Sequence, residues 1–304
     1  MMGTSTRRAF VTALVACAAA CGLFPDLGDL GGGDAGSDVT TIDSPLAESG
    51  TDAGGVDAPA DATSDVVDAA NDGSAACPSG RGPTMIVMDP KTCIDSTEVT
   101  VAQYRVFFDT NDAGSITQIP ACTWNATLAP ANGMPGTGSN PKPIANLNWC
   151  QAQAFCTWAG KSLCGAPDGG AYPYVAFTNA AQSTWMNACS ANGTQNYPYG
   201  QTVDASACNI STFDASVPVA PAGSFLGCQG SLKGLYDMVG NIKEWDNACL
   251  PAGTGDASAD LCRRRGAGID DPGNPALKTC GWDEVDTRNH QSYSSGVRCC
   301  AYLP

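Results

Sequence analysis

The chain has 304 residues, with 30 acidic and 15 basic side chains, a formal net charge of −15 and one histidine. Thirty-five glycines and 20 prolines favour a loop-rich architecture over a helical one, and 16 cysteines point to disulfides formed outside a reducing compartment. That balance excludes the basic patch that nucleic-acid binding needs, and the lone imidazole excludes an iron site built from two or three histidines.

Residues 1–16 read as a signal peptide: Arg7 and Arg8 precede an apolar run over 9–20 that is too short to span a bilayer. Leu14-Val15-Ala16-Cys17 resembles a lipobox, which predicts lipidation of Cys17, and Ala18-Ala19-Ala20-Cys21 is a second frame. An ordinary cleaved signal accounts for the same residues. Thr6-Arg7-Arg8-Ala9-Phe10-Val11 resembles a twin-arginine export motif, and a plain basic leader explains those arginines equally well. Residues 22–76 hold 12 acidic side chains, no Lys or Arg, and almost no aromatics, too little apolar surface to offset ordering entropy. Residues 17–76 therefore read as the lipid-anchor cysteine and a disordered acidic tether. The remaining 77–304 carry 13 basic and 18 acidic residues, a net charge of −5. The expected address is the cell envelope, lipid-anchored outside the cytoplasm.

In the folded part, the apolar run 85–88 predicts a strand. A helix is expected after Thr97, with Val101, Tyr104 and Phe108 at helical spacing and Thr97 or Thr100 as N-cap. The Gly/Pro/Asn-rich stretch 120–143, around Cys122 and Trp124, reads as a surface loop fastened at its ends. A second helix is predicted over 148–158, with Trp149, Ala152, Phe155, Cys156 and Ala159 on one face and Gly160 as its C-cap. Trp149, Trp158, Trp185 and Trp245 read as core anchors. Arg263-Arg264-Arg265 reads as a solvated strand end paired to acids such as Asp260, and His290 as a surface-loop histidine.

The most informative stretch is Gly234-Leu235-Tyr236-Asp237-Met238-Val239-Gly240-Asn241-Ile242-Lys243-Glu244-Trp245. Two carboxylates flank a Gly-Asn turn held between apolar anchors, an arrangement whose oxygens suit a hard cation such as calcium. A turn into a core tryptophan with two solvated acids fits the same residues. The stretch resembles the signature of the formylglycine-generating, or sulfatase-modifying factor, family. Four other segments agree in order. These are Cys93-Ile94-Asp95-Ser96-Thr97-Glu98-Val99-Thr100 with Tyr104 and Phe107; Asn148-Trp149 leading to Ala154-Phe155-Cys156-Thr157-Trp158-Ala159-Gly160-Lys161; Tyr197-Pro198-Tyr199-Gly200; and Gly296-Val297-Arg298-Cys299. The resemblance covers about 77–304 and implies an α+β, C-type-lectin-like fold with little regular secondary structure. In catalytic members it implies a copper-dependent oxidase that converts a substrate cysteine to formylglycine.

Carried over residue by residue, the resemblance implies structural calcium on the side chains of Asp237 and Glu244 and the backbone oxygens of Gly240 and Ile242. Asn209 and Ile210 fall near a second calcium site, with Asp214 as the available acid. It also implies the long-range bridges Cys156 with Cys299 and Cys189 with Cys280. Proximity in sequence pairs Cys77 with Cys93, Cys208 with Cys228 and Cys249 with Cys262, and leaves Cys122, Cys150, Cys164 and Cys300 with three connectivities open. The chain departs from the family at the insertion 166–175 and again at the catalytic positions. Counting back from Cys280, the two copper-binding cysteines fall on Pro275 and Asp270, or on Ala276 and Asp271 after a one-residue slip. No cysteine lies between Arg263 and Thr279, and the assisting serine is Ala267 or Gly268. Bound copper is accordingly not expected, and Asp270-Asp271 can instead take a cation or a cationic ligand. Three functions follow from these residues. The first is a degenerate, lipid-anchored, calcium-stabilised module that binds an extracytoplasmic protein or small ligand. The second is an oxidase with a site rewired from Cys262 and Cys280 or from Cys299 and Cys300. The third is a purely structural envelope protein.

Overall fold

The computed structural model describes residues 76–111, 116–210, 218–271 and 273–304. The signal peptide, Cys17, the acidic tether before residue 76 and Asp214 lie outside the described residues. Two short sheets and three helices carry the described fold, and most of the remaining chain is turns and loops.

The first sheet begins with β1 (Met85–Asp89) and β2 (Thr92–Asp95), joined by a tight turn in which Asp89 Oδ1 accepts from the Lys91 N–H at 2.8 Å. The C-terminal strand β8 (Cys299–Tyr302) inserts between β2 and the two-residue β3 (Ser162–Leu163), giving the antiparallel order β1-β2-β8-β3. Both ends of the domain thus meet in one sheet.

Helix α1 (Val101–Thr110) starts at Thr100, which settles the choice of cap: its hydroxyl accepts from the Gln103 N–H while the Gln103 side chain accepts from the Thr100 N–H. The face it buries is Val101, Tyr104 and Phe107, whereas Phe108, the predicted third position, only packs against the rim of the core. Helix α2 (Trp149–Trp158) begins with the same reciprocal box, between Asn148 and Gln151. Its C-cap is Ala159, and Gly160 is the next residue. At φ +73° Gly160 lets the Lys161 N–H reach the Cys156 carbonyl at 2.8 Å, a left-handed termination that a side chain would strain. Tyr104, Phe107, Phe155 and Trp158 meet edge-on or tilted at the α1–α2 contact, apart from the stacked Tyr104–Phe155 pair. The loop 120–143 is fastened by Cys122–Cys150.

The short helix α3 (Thr184–Cys189) leads toward the second sheet, which has the order β6-β5-β4-β7. Strand β4 (Lys243–Leu250) pairs antiparallel with β5 (Leu261–Arg265) and parallel with β7 (Ser295–Gly296), and β5 pairs with β6 (Asp283–Thr287). The arginine run was expected to be solvated and is not: Arg263, Arg264 and Arg265 are at most 7% exposed. Arg263 lies over the rings of Tyr174 and Phe177 and Arg265 over Trp185 and Phe177; Arg263 and Arg264 take their acidic partners from β6 and Arg265 faces Asp246 of β4, whereas Asp260 pairs with Arg288. Aromatic residues around the insertion 166–175 make that burial feasible, because a guanidinium is weakly hydrated and stacks on rings.

All fourteen described cysteines are joined in seven disulfides: Cys77–Cys93, Cys122–Cys150, Cys156–Cys299, Cys164–Cys300, Cys189–Cys280, Cys208–Cys228 and Cys249–Cys262. Neighbours in a strand point to opposite faces. Cys299 accordingly joins the cluster around α1 and α2, while Cys300 joins the one around Trp185 and Leu235.

Candidate functional site

The Gly-Asn loop runs directly into β4. Asp237, Gly240 and Asn241 have φ of +59°, +94° and +60°, so the chain turns sharply twice. A side chain at Gly240 would put its Cβ 2.8 Å from the Asn209 carbonyl, so both φ and space demand glycine there. The Asn241 N–H donates to that carbonyl at 2.7 Å, and the Asn209 amide donates to Asn241 Oδ1 at 3.0 Å. These bonds seat Asn209 and Ile210 against Gly240. Asp237, Gly240, Ile242, Glu244, Asn209 and Ile210 are all buried, which excludes the reading of two solvated acids.

The two carboxylates differ in what they face. Glu244 is clasped by Arg298, whose Nε reaches its two oxygens at 2.8 and 3.0 Å, and it also accepts from Trp185 Nε1 at 2.6 Å. Arg298 is completed by the carbonyls of Asp95 and Tyr236. Asp237 Oδ2 accepts from the Gly223 N–H at 2.6 Å. The third acid of the cluster is Glu98, fully buried; no N–H donor among the described residues reaches its carboxylate, which instead lies within hydrogen-bonding reach of the Asp237 carboxyl. Burial first, then the charges of Asp237 and Glu244, push Glu98 well above the usual carboxylate range against the pull of Arg298. Burial likewise raises Asp237 to about 6, opposed by the Gly223 N–H and by Arg298.

Three buried acids thus share one guanidinium, and the facing carboxyl groups of Glu98 and Asp237 are the kind of oxygen donor that suits a hard cation. Among the described residues, no three His, Cys, Asp or Glu side chains form a ready-made ligand set, so calcium here would draw on backbone oxygens as well. Glu98 and Asp237 fit such an ion better than Glu244, whose lone pairs already serve Arg298 and Trp185.

The positions to which the family's copper-binding cysteines map lie after β5. The Asp270-Asp271 pair found there already faces a cation of the chain itself: Lys243 Nζ is 3.0 Å from an oxygen of each and 2.5 Å from Glu284 Oε2. Burial alone would lower the Lys243 ammonium, but Glu284, Asp271 and Asp270 outweigh it and hold it above its ordinary value. Cys262, Cys280, Cys299 and Cys300, the other sulfurs considered for a soft metal, are all in disulfides. His290 is a third exposed and lies 3.3 Å from Asp286.

Sequence reasoning passed over Glu98, Arg298 and Lys243 as functional residues although all three stand inside the quoted motifs. The available signal was polarity out of place. Glu98 is flanked by a buried Val99, and Lys243 falls between Ile242 and Glu244 in a stretch whose other members are core.

The model for the sulfatase-modifying factor enzyme 1-like domain matches residues 67–302. The formylglycine-generating enzyme of Mus musculus is 26% identical over 175 residues, covering 52% of this chain and 39% of that protein. A serine/threonine-protein kinase, pkn1 of Chlamydia caviae, is 28% identical over 105 residues, 34% of this chain and 13% of the kinase. The chain therefore spans well under half the length of either relative. Among solved structures, CarF matches with a TM-score of 0.45 and 18% identity over 70% of this chain and 87% of its own. PvdO from Pseudomonas aeruginosa matches with a TM-score of 0.46 and 16% identity over 70% of this chain and 80% of its own. With the family model matching well over half of the chain, from 67 to 302, the chain belongs to the sulfatase-modifying factor family.

Proposed function

We propose that this protein is an exported, lipid-anchored member of the family that has lost the oxidase chemistry and works as a calcium-stabilised binding module. One observation carries the loss of chemistry. Every described cysteine is in a disulfide, and the mapped catalytic positions hold Asp270 and Pro275, or Asp271 and Ala276, with both aspartates facing Lys243. Soft Cu(I) and a substrate thiol both require free thiolates. A thiol count on the folded full-length chain should find no reactive sulfur in residues 77–304. Incubation with Cu(I), oxygen and a cysteine-containing sulfatase peptide should yield no formylglycine. Two free thiols together with formylglycine in the peptide would restore the oxidase reading.

Calcium is supported by the buried acids around the Gly-Asn loop, with Asp237, the Gly240 and Ile242 carbonyls and Glu98 as the donors and Glu244 held beside them by Arg298. Removing calcium with a chelator should lower the melting temperature, and adding it back should restore the loss. A melting temperature indifferent to chelator, with no calcium found by elemental analysis, would remove the ion from this account. The lipobox-like Leu14-Val15-Ala16-Cys17 supports anchoring, and mass spectrometry of the native N-terminus should find lipidated Cys17. A mature chain that begins beyond Cys21 without lipid would overturn that placement. The binding partner is an extracytoplasmic protein or small ligand presented to the domain beyond its acidic tether.

A further inference from the structure

Arg81 stands between Gly80 at φ +89° and Gly82 at φ +71°, two left-handed turns that glycine takes without strain. The short segment around it is fixed at both ends, by Cys77–Cys93 on one side and by Lys161 Nζ, which donates to the Pro83 carbonyl at 2.9 Å, on the other. Its guanidinium reaches the end of α2: Nη1 donates to the Trp158 carbonyl at 2.5 Å, and the group lies 4.6 Å from the centroid of the indole ring. Trp158 is itself held by Phe107 and Phe155 in the α1–α2 contact. No acid among the described residues pairs with Arg81, and the residue is exposed, so its remaining N–H groups face solvent in a fixed orientation.

Arg81 and Trp158, with Gln103 and Val106 from the exposed side of α1, line an open cavity of about 650 Å³, a size that suits a small ligand. Gln103 uses its side-chain oxygen to cap the Thr100 N–H, and its amide N–H groups have no partner among the described residues. Val106 is 56% exposed and gives the same wall an apolar surface. Bare carbonyls at the ends of the two helices would repel an anion, but they are covered. Arg81 takes that of Trp158 at 2.5 Å, the Asn111 amide that of Phe107 at 2.7 Å and the Thr110 hydroxyl that of Val106 at 2.6 Å. The geometry points to this cavity as the binding site for a small organic carboxylate, with its charge on the Arg81 guanidinium and the Gln103 amide and its apolar body against Val106 and the Trp158 ring. This gives a place and a ligand chemistry to the binding role proposed above, and rests on that reading for the role alone, since none of the mapped catalytic positions lines the cavity.

The test is calorimetric titration of the full-length protein with phenylacetate, and with phenylacetamide as its uncharged counterpart. Phenylacetate should saturate a single site, and the amide should bind at least about tenfold more weakly, the loss expected when a charge-assisted hydrogen bond is given up. Arg81→Gln should weaken phenylacetate by a similar factor. Val106→Asp, made at an exposed position and so without burden on folding, should do the same by setting a like charge against the ligand. Lys91→Gln, which removes another exposed cation, should leave the affinity unchanged. Melting temperatures of the variants establish that they are folded. No saturable binding to the native protein, equal affinity for acid and amide, or equal losses in Arg81→Gln and Lys91→Gln would each overturn the proposal. Displacement of phenylacetate by inorganic phosphate at equal concentration would overturn the assignment to an organic carboxylate. The thiol count and formylglycine assay, run on the same preparation, keep the two readings apart. Reactive thiols with phenylacetate binding intact would end the degenerate-oxidase reading alone, and no thiols with no binding would end this site alone.

Discussion

Asp246, in the middle of β4, has no exposed surface; it accepts from the Tyr172 hydroxyl at 2.6 Å and lies 3.9 Å from Arg265 Nε. Burial raises its carboxyl to about 6, with Arg265 and Tyr172 opposing the rise. Asp95 is raised to about 6 by the same cause even though Lys161 lies 2.5 Å away. A carboxyl whose pKa is higher folded than unfolded binds more protons in the native state. Its favourable contribution is complete below the unfolded value near 4 and is lost as pH rises through about 6. Thermal stability should therefore fall as pH rises from about 4 to about 6. Asp246→Asn, which keeps an acceptor for Tyr172, should flatten that slope, and melting curves at several pH values check it. An unchanged slope in the variant would locate the titration elsewhere. At this scale the sequence was readable where residue type and environment agree: Trp149, Trp185 and Trp245 are core anchors, each donating its indole N–H to a buried acceptor. It was misleading where they disagree, because an arginine run is ordinarily solvated and nothing local announces that Tyr174 and Phe177 will cover it.

Both long helices are set by their starts. Thr100 and Asn148 close reciprocal boxes with Gln103 and Gln151, a pattern visible in sequence as a short polar residue followed three places later by an amide. Asn148 does more than cap, since its amide also donates to Asn125 Oδ1 at 2.9 Å and so ties α2 to the loop 120–143. Asn148→Ala should cost about 1–2 kcal/mol, the upper part of the range for an N-cap, measured by denaturant unfolding with disulfides intact. A cost no larger than that of Thr100→Ala would mean the Asn125 bond adds nothing. The helices were legible because their periodicity and caps are local. The sheets were not: β4, β5 and β6 come together through pairings that no local pattern marks, and β3 and β7 are two residues each, too short to show alternation.

Across the whole domain, order comes from covalent closure more than from layers of regular structure. Sequence proximity pointed to the short bridges, but the partners of Cys122 and Cys164 were set by folding, which carries Cys150 and Cys300 to them from 28 and 136 residues away. Stapling of this kind restricts the unfolded chain, at about 2–4 kcal/mol per bridge. It also governs how the domain would answer a pull. Consider force entering at Cys77 and leaving at Pro304. The shortest bonded route crosses at Cys77–Cys93, Cys122–Cys150 and Cys156–Cys299, leaving only about 40 residues of free backbone in series. Taut, that route measures about 140 Å, against about 800 Å for the same segment with its bridges reduced. A domain wired in this way would yield a short length and then stop, like a rope with its coils tied.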